Sequence, residues 1–385
     1  MPQLSPPAKP RVAIIHDWLP TIGGAERVLA ELLRLYPDAH VYTLVDLLTP
    51  AQRESLGLRT VFTSALQRRS WLRKRYQQML PFLPFLIEQF DLVDYDLIIS
   101  NNYAVAKGVI VHPHQYHVCH CCSPMRYAWD LQEEHLRDSP WGRGIRGFVV
   151  RAVLHYLRIW DARSSAGVDQ FVAISQFVAR RIEKCYRRDA DVIYPPVEVE
   201  QFAITPDRDN YYVTASRLVP YKRVDLIVSA FVQMPQRRLK VIGDGPEMGR
   251  LRKLAAGAAN IEIMGRQPQA VLRETICRAR GFVFAAKEDF GIAPIEAQAA
   301  GVPVIAYGAG AIRETVIPGR TGLFFERQDA EAIVQAVGQF ERIQFDPALA
   351  RANALRFRPE RFREEFTRLV ASGYAAWRAR AGGVT

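Results

Sequence analysis

Twice along this chain, short apolar runs alternate with amphipathic stretches, and a polar, turn-rich segment at Thr205–Asn210 (TPDRDN) separates the two series. An apolar run bounded by turns reads as a strand covered on both faces. Apolar residues three and four apart read as a helix packed on it. In the first series Val12–Ile15, Val41–Leu44, Leu97–Ser100, Val109–Val111, His117–Cys121 and Phe171–Ile174 are predicted strands, with Ala25–Tyr36 a predicted helix. In the second, Tyr211–Ala215, Leu239–Ile242, Ile261–Met264, Phe282–Ala285 and Val302–Tyr307 are predicted strands. Helical patterns lie between them around Arg223–Phe231, Met248–Ala256, Pro268–Ala279, Ile292–Ala300 and Ala330–Glu341. Strands joined through helices run parallel, so the expected fold class is α/β, two Rossmann-like doubly wound domains facing a cleft. Ligands of such sheets bind beyond the carboxyl ends of the strands.

The length of 385 residues fits two domains of roughly 150–200 residues, expected at 1–205 and 206–359. A hydrophobic content of 49% is ample for two packed cores and excludes a disordered or disulfide-stapled chain. With Lys+Arg 51 against Asp+Glu 40 the net charge is +11, which points to anionic partners. Five cysteines, three of them crowded at Cys119, Cys121 and Cys122, describe no disulfide framework and suit a reducing cytosol. The amino-terminal MPQLSPPAKPR lacks the apolar stretch of a signal peptide, and no run reaches the roughly 18 residues of a membrane span.

Three clusters carry candidate chemistry. His16-Asp17-Trp18-Leu19 leads to Gly23-Gly24-Ala25-Glu26, where paired glycines open a helix whose N–H groups face an anion or simply make a tight turn. This is not the G-x-G-x-x-G of a dinucleotide-binding dehydrogenase. Ser216–Arg223 (SRLVPYKR) follows a strand and places Arg217 and Lys222 to flank a diphosphate, unless it is only a solvated basic loop. Lys287–Ala297 (KEDFGIAPIEA) sets Glu288 eight residues before Glu296, with the N–H groups of Gly291, Ile292 and Ala293 at a helix start suited to a phosphate. Glu288 reaches sugar hydroxyls from its loop, and Glu296, expected in the first helical turn, accepts from a ribose.

The spacing of Glu288 and Glu296 in this context resembles the retaining glycosyltransferases of family 4, which have the GT-B fold. R-L-x-x-Y-K-R at 217–223, G-D-G-P-E at 243–247, G-G-A-E at 23–26 and A-x-G-V-P-V-I-A at 299–306 agree with it. H-D-W-L-x-x-x-G-G-A-E together with S-P-M-R-Y-A-W-D at 123–130 is similar to the bacterial GDP-mannose-dependent mannosyltransferases. The resemblance implies a nucleotide-diphospho-sugar donor on the second domain, a glycan or polyprenyl-diphosphate-linked acceptor on the first, and a last helix, 360–385, crossing back to the first domain. It implies that Arg217 and Lys222 hold the diphosphate, Glu296 the ribose and Glu288 the sugar ring. Gly23, Gly24, Gly291, Ile292 and Arg266 complete the expected donor-binding set, with Gly24 closing the phosphate site. Arg126 and Tyr127 are acceptor candidates. Relatives carry a His where this chain has Cys122; His120 shares its strand face and is expected to take a related catalytic role from a displaced position. A UDP-sugar donor on the same fold, or a non-catalytic sugar-nucleotide or glycan-binding protein, are the alternatives.

No cofactor or metal is expected, because cations and a helix N-terminus already neutralise the diphosphate. The D-x-D strings Asp94–Asp96, Asp189–Asp191 and Asp207–Asp209 read as accidental. Strand alternation points Cys119 and Cys121 away from His120 and Cys122, which argues against zinc. The basic, aromatic stretch Gln67–Tyr76 and the apolar Met79–Ile87 read either as a docking element for an anionic membrane surface or as a solvated helix covering the cleft. The expected location is accordingly cytoplasmic, peripheral at the inner face of the plasma membrane. Between Arg351 and Arg380 eight arginines face three glutamates, but no nucleic-acid module accompanies them, so nucleic acid is not an expected partner. The buried face of this last helix is expected at Phe362, Phe366, Leu369 and Tyr374.

Overall fold

The computed structural model describes residues 10–130, 132 and 144–381. The Pro-rich residues 1–9, residues 131 and 133–143, and the last four residues of the expected helix 360–385 lie outside the described residues. The chain divides into two compact units, 1–194 with 363–385, and 195–362. The boundary precedes the polar break at Thr205–Asn210 because Val197, Val199 and Phe202 are already buried, and the Val197 N–H donates to the Phe357 carbonyl of the second unit at 2.8 Å.

The first unit is a seven-stranded sheet in the order β3-β2-β1-β4-β5-β6-β7. The strands are β1 Val12–His16, β2 His40–Thr43, β3 Val61–Thr63, β4 Leu97–Asn102, β5 Tyr116–Cys121, β6 Gln170–Ala173 and β7 Asp191–Val192. The second unit is a six-stranded sheet in the order β10-β9-β8-β11-β12-β13. Its strands are β8 Tyr211–Ala215, β9 Arg238–Ile242, β10 Ile261–Gly265, β11 Gly281–Phe284, β12 Val304–Tyr307 and β13 Gly322–Phe325. Every ladder in both sheets is parallel. The strongly apolar strands are buried along their whole length, as parallel strands covered on both faces must be.

Val109–Val111, expected as a strand, is not one. β4 and β5 pair directly, so no place in the sheet is open between them. The segment leaves a 3-10 turn at Ala106–Gly108, buries Val109 in the core and exposes Ile110. β3, β7 and β13 were not expected. β3 and β7 are edge strands of two or three residues, and β13 opens on Gly322, where a Cβ would lie 2.1 Å from the Val304 carbonyl oxygen.

The last helix, Pro359–Ala381, belongs to the first unit from Arg363 onward. Its buried side runs through Phe362, Phe366 and Val370, four residues apart. Leu369 lies on the margin of that stripe, and Gly373 gives Tyr116 room. Tyr374 and Trp377 flank the Tyr116 ring at 6.0 Å.

Two buried features set the first unit's polar interior. Lys107 Nζ donates to Asp161 Oδ1 at 2.6 Å and to Ser164 Oγ at 2.9 Å, with both charged side chains fully buried. Trp129 Nε1–H and the Tyr186 hydroxyl donate to the other Asp161 oxygen. The histidines of β5 are also fully enclosed. His117 spans Ser100 Oγ and the Gly167 carbonyl, and burial pulls the pKa of both His117 and His120 down to about 4.

Removing one partner of a buried ion pair strands the other charge. Lys107→Met is expected to lower the unfolding free energy of the first unit by about 3–5 kcal/mol in urea titrations followed by tryptophan fluorescence. A loss under about 1 kcal/mol, the worth of an exposed pair, would show that Trp129 and Tyr186 satisfy Asp161 without the lysine.

The histidines give a pH dependence of definite sign. Their folded pKa of about 4 lies below the ordinary 6.5, so the unfolded chain binds protons first as the solution is acidified. Their contribution to stability is complete above pH 6.5 and is lost as the pH falls towards 4. The slope is on the order of 1.4 kcal/mol per pH unit for each histidine. Urea titrations across that window check it, and His117→Gln should halve the slope.

Candidate active site

Each sheet reverses its strand order once, at β1/β4 and at β8/β11. At such a point the flanking crossovers leave to opposite faces and a crevice opens beyond the carboxyl ends. His16 and Asn101 of the first unit, and the loops carrying Lys222 and Glu288 in the second, lie there.

In the second unit, Ser216–Arg223 leaves β8 and Ala285–Gly291 leaves β11. The first loop is held backbone to backbone by the G-D-G-P-E segment. Leu218 N–H donates to the Asp244 carbonyl at 2.9 Å and Glu247 N–H to the Leu218 carbonyl at 3.1 Å. Gly243 has φ +142°, and a Cβ there would lie 1.8 Å from the Ser216 carbonyl oxygen. Gly245 would bring one within 2.3 Å of the Leu218 carbonyl oxygen. These glycines let the two loops touch, which no side chain allows. The loop closes in a 3-10 turn, Pro220–Lys222, that delivers Lys222 Nζ onto Glu288 Oε1.

Glu288 is fixed from behind. Its carbonyl accepts from Ala311 N–H at 2.9 Å, and Gly310, at φ +83°, lies so close that a Cβ would stand 2.5 Å from the Glu288 carbonyl oxygen. Lys222 and Glu288 keep 15% and 14% of their side-chain surface, enough to meet a ligand. Three residues on, Gly291 at φ +89° turns the chain into the helix Ile292–Ala299. Pro294 in its first turn lacks an N–H that would have had no intrahelical acceptor anyway. Ile292 is half-buried at that start. Glu296 was expected in the first turn. It is the fifth helical residue, a full turn in, and it is buried because this helix is enclosed from Pro294 to Ala299. Arg217 is exposed at the head of its loop. Arg266 is exposed after the edge strand β10, two strands from β8.

In the first unit the register aligns three side chains across neighbouring strands. His16 of β1 is opposite Asn101 of β4, and Asn101 is opposite His120 of β5. Asn101 Nδ2 donates to His16 Nδ1 at 3.2 Å and to the Ala25 carbonyl at 2.8 Å. Its Oδ1 accepts from His120 Nδ1–H at 3.0 Å and from Cys122 Sγ at 3.6 Å. An amide donates only from nitrogen, so the pattern fixes both tautomers. His16 carries its proton on Nε2, 3.4 Å from Glu26 Oε1, and His120 carries its proton on Nδ1. Glu26 Oε2 in turn accepts from Gly23 N–H at 2.8 Å, so Gly23 is the amino-terminal cap of the helix Gly24–Leu35 and Gly24 its exposed first residue.

Asp17, fully buried, accepts four backbone N–H bonds of 2.5–3.0 Å from Tyr103, Ala104, Val105 and Ala106. Burial raises its pKa, and the N–H bonds with the nearby His16 pull it back. This carboxylate fastens the exit of β4 to the exit of β1.

His120 and Cys122 meet the same Asn101 oxygen, so they share a face. His120 is fully buried, with the Phe366 ring 6.4 Å away, and stays neutral at physiological pH; Cys122 alone of the two keeps some exposure. The stretch Ser123–Asp130 is pinned by Arg181, which donates to Ser123 Oγ at 2.5 Å and pairs with Asp130. Arg126 is half-buried there. Tyr127, an acceptor candidate, packs its ring on the core, and its shielded hydroxyl is driven well above the ordinary tyrosine pKa by burial. It presents no hydroxyl to solvent.

Sequence reasoning missed Asn101 and Gly310 as site-forming residues; His16 and Glu26 stand in the first candidate cluster, but their pairing with each other and with Asn101 was not foreseen. The polar pair Asn101-Asn102 ending an otherwise apolar strand was the available signal. Among the described residues no three His, Cys, Asp or Glu side chains gather as a metal-binding group. Of the D-x-D carboxylates, Asp96 accepts from Arg11 N–H, Asp191 from Gln170 and Asp209 from Arg278.

Comparison with known proteins agrees with this architecture. The family model described as "Glycosyltransferase Family 4" matches residues 22–201, and that described as "Glycosyl transferases group 1" matches 197–354. A GDP-mannose-dependent alpha-(1-6)-phosphatidylinositol monomannoside mannosyltransferase of Mycolicibacterium smegmatis is 30% identical over 200 residues, 44% of this chain and 52% of that protein. Its namesake in Mycobacterium tuberculosis is 32% identical over 221 residues, 50% of this chain and 55% of the other. The chain thus spans about half the length of the curated relatives it matches. Among solved structures, sucrose-phosphate synthase from Thermosynechococcus elongatus superposes with a TM-score of 0.71 at 19% identity, covering 96% of this chain and 100% of that one. Anabaena Alr3699/HepE, solved with UDP, gives 0.69 at 18% identity, covering 94% and 100%. Two parallel doubly wound units, each matched by its own glycosyltransferase model, place the chain in glycosyltransferase family 4, with the GT-B fold.

Proposed function

We propose that the chain moves mannose from GDP-mannose onto a lipid-linked or polysaccharide acceptor, with retention at the anomeric carbon. The observation that carries the proposal is the meeting of Lys222 and Glu288 at the β8/β11 switch point, beside the helix opened by Gly291. A cation and helix-start N–H groups suit a diphosphate, and an adjacent fixed carboxylate suits the hydroxyls of the sugar it carries. The names of the mycobacterial relatives support mannose, GDP and a glycolipid acceptor.

In this chemistry the acceptor hydroxyl attacks the anomeric carbon from the face that the diphosphate leaves. The bond to the phosphate oxygen breaks as the new glycosidic bond forms, and the departing oxygen takes the acceptor's proton. Negative charge builds on the diphosphate and positive charge on the sugar. Lys222 and Arg217 stabilise the first, assisted by the N–H groups of Ile292 and Ala293. Glu288 exchanges its ion pair for sugar hydroxyls and orients the ring. Glu296 holds the ribose, and Arg126 and the His120–Cys122 region lie on the acceptor unit. No metal ion takes part.

Lys222→Ala is expected to lower kcat on the order of 10²-fold or more, measured as sugar transfer from GDP-mannose; near-normal turnover would overturn the assignment. Thermal-shift titration tests the donor, since a ligand stabilises by the logarithm of its concentration over Kd. GDP should raise the melting temperature with and without EDTA. A shift with UDP alone would overturn mannose and leave the fold untouched.

A further inference from the structure

Helix Gly144–Ser164 is apolar on two sides. One buries Leu154 and Leu157 in the first unit's core. The other places Ile145, Phe148 and Ile159 in solvent, with Ile145 86% and Phe148 73% exposed. An ordinary surface helix carries one apolar stripe and turns it inward. The second stripe has cationic neighbours: Arg146, Arg151 and Arg163 are exposed on the same helix. Its one carboxylate, Asp161, is buried on Lys107.

A second segment continues this surface. The β3–β4 connection exposes Phe82 and Phe85 at 61% and 60%, together with Trp71, Arg68, Arg69 and Arg75. From β3 to β4 and from β5 to β6 the chain crosses the sheet in the same direction, so right-handed crossovers put both connections on one face. Met79 and Leu86 of the first, and Val150 and Val153 of the second, pack on the same core cluster. Trp160 Nε1–H donates to Glu88 Oε1 at 2.6 Å, joining the two.

We propose that this layer is a docking surface for an anionic phospholipid bilayer, with helix Gly144–Ser164 lying in the membrane–water interface. Aromatic and aliphatic side chains interleaved with arginines, and no exposed carboxylate on the helix, match acyl chains beneath anionic headgroups. No helix among the described residues is long and apolar enough to cross a membrane, so the contact is with one leaflet. The proposal does not depend on the identity of the donor or the acceptor.

Co-sedimentation of the full chain with vesicles tests it, without nucleotide. Binding is expected with vesicles of phosphatidylcholine plus phosphatidylglycerol, and it should fall as salt is added. Phosphatidylcholine alone should bind at least about fivefold less. The double variant Ile145→Glu/Phe148→Glu should bind the anionic vesicles about tenfold or more weakly, and Phe82→Ser/Phe85→Ser likewise. An unchanged melting temperature shows that both variants fold. Equal binding to both vesicle types, no binding, or variants that bind like the parent would overturn the proposal. So would a concentration-dependent dimer in light scattering that Ile145→Glu/Phe148→Glu abolishes, since the stripe would then be an interface between two copies.

Discussion

Parallel pairing makes every strand of a sheet end on the same edge, and a sheet that reverses its strand order leaves a crevice there. Each unit of this protein reverses once. The strands flanking the switch points, β1, β4 and β8, are enclosed, and polar side chains gather where their apolar runs stop: His16 ends β1, Asn101 and Asn102 end β4, and Ser216 follows β8. A polar group at a strand's end reaches partners on the loops, whereas one within a strand finds them on a neighbouring strand, as His117 does on Ser100.

The two units solve the positioning problem differently. In the second, backbones approach at Gly243, Gly245 and Gly310, and the loops are set by contacts that a single Cβ would prevent. Only Lys222 and Glu288 then need to project, and their pairing orients both. In the first, side chains do the fastening. Asp17 gathers four N–H groups that no sheet neighbour satisfies, and Asn101 uses both ends of its amide to hold two imidazoles. A glycine scaffold suits the bulky, charged donor proposed for this site. A network of satisfied buried groups suits a wall that must not move.

What the sequence made legible follows from range. The long apolar strands, the Gly23-Gly24 turn and the loops carrying Lys222 and Glu288 are local signals, and each lies where it was expected. The edge strands β3 and β7 are too short to form a pattern, and Val109–Val111 has the composition of a strand but no vacant place beside β4 and β5. The helix starts at Ile292, as its pattern conveys, and counting from there puts Glu296 fifth, one turn further in than the first-turn position expected of it. Asn101 carries no signal by itself. Its importance arises only when the register sets it opposite His16 and His120, a fact about three distant strands. The burial of His120 and of the Tyr127 hydroxyl is equally invisible in a local pattern, because neighbouring elements cause it. Arg266 shows the reverse limit: the end of a strand is recognisable, but how far that strand lies from the switch point is not.

The ladder in the first unit also bears on how a proton can move there. A chain running Glu26, His16, Asn101, His120 looks like a relay, but an amide between two imidazoles passes no proton without becoming its unstable tautomer. Burial holds His120 near pKa 4, so it does not titrate in the range where the protein works. The arrangement therefore fixes hydrogen-bond directions and does not conduct. In the proposed transfer this is sufficient, because the acceptor's proton goes to the departing phosphate oxygen and no side chain must collect it. In that proposal the charges that change during the reaction are met by Lys222, Arg217 and the helix start at Gly291, all in the second unit.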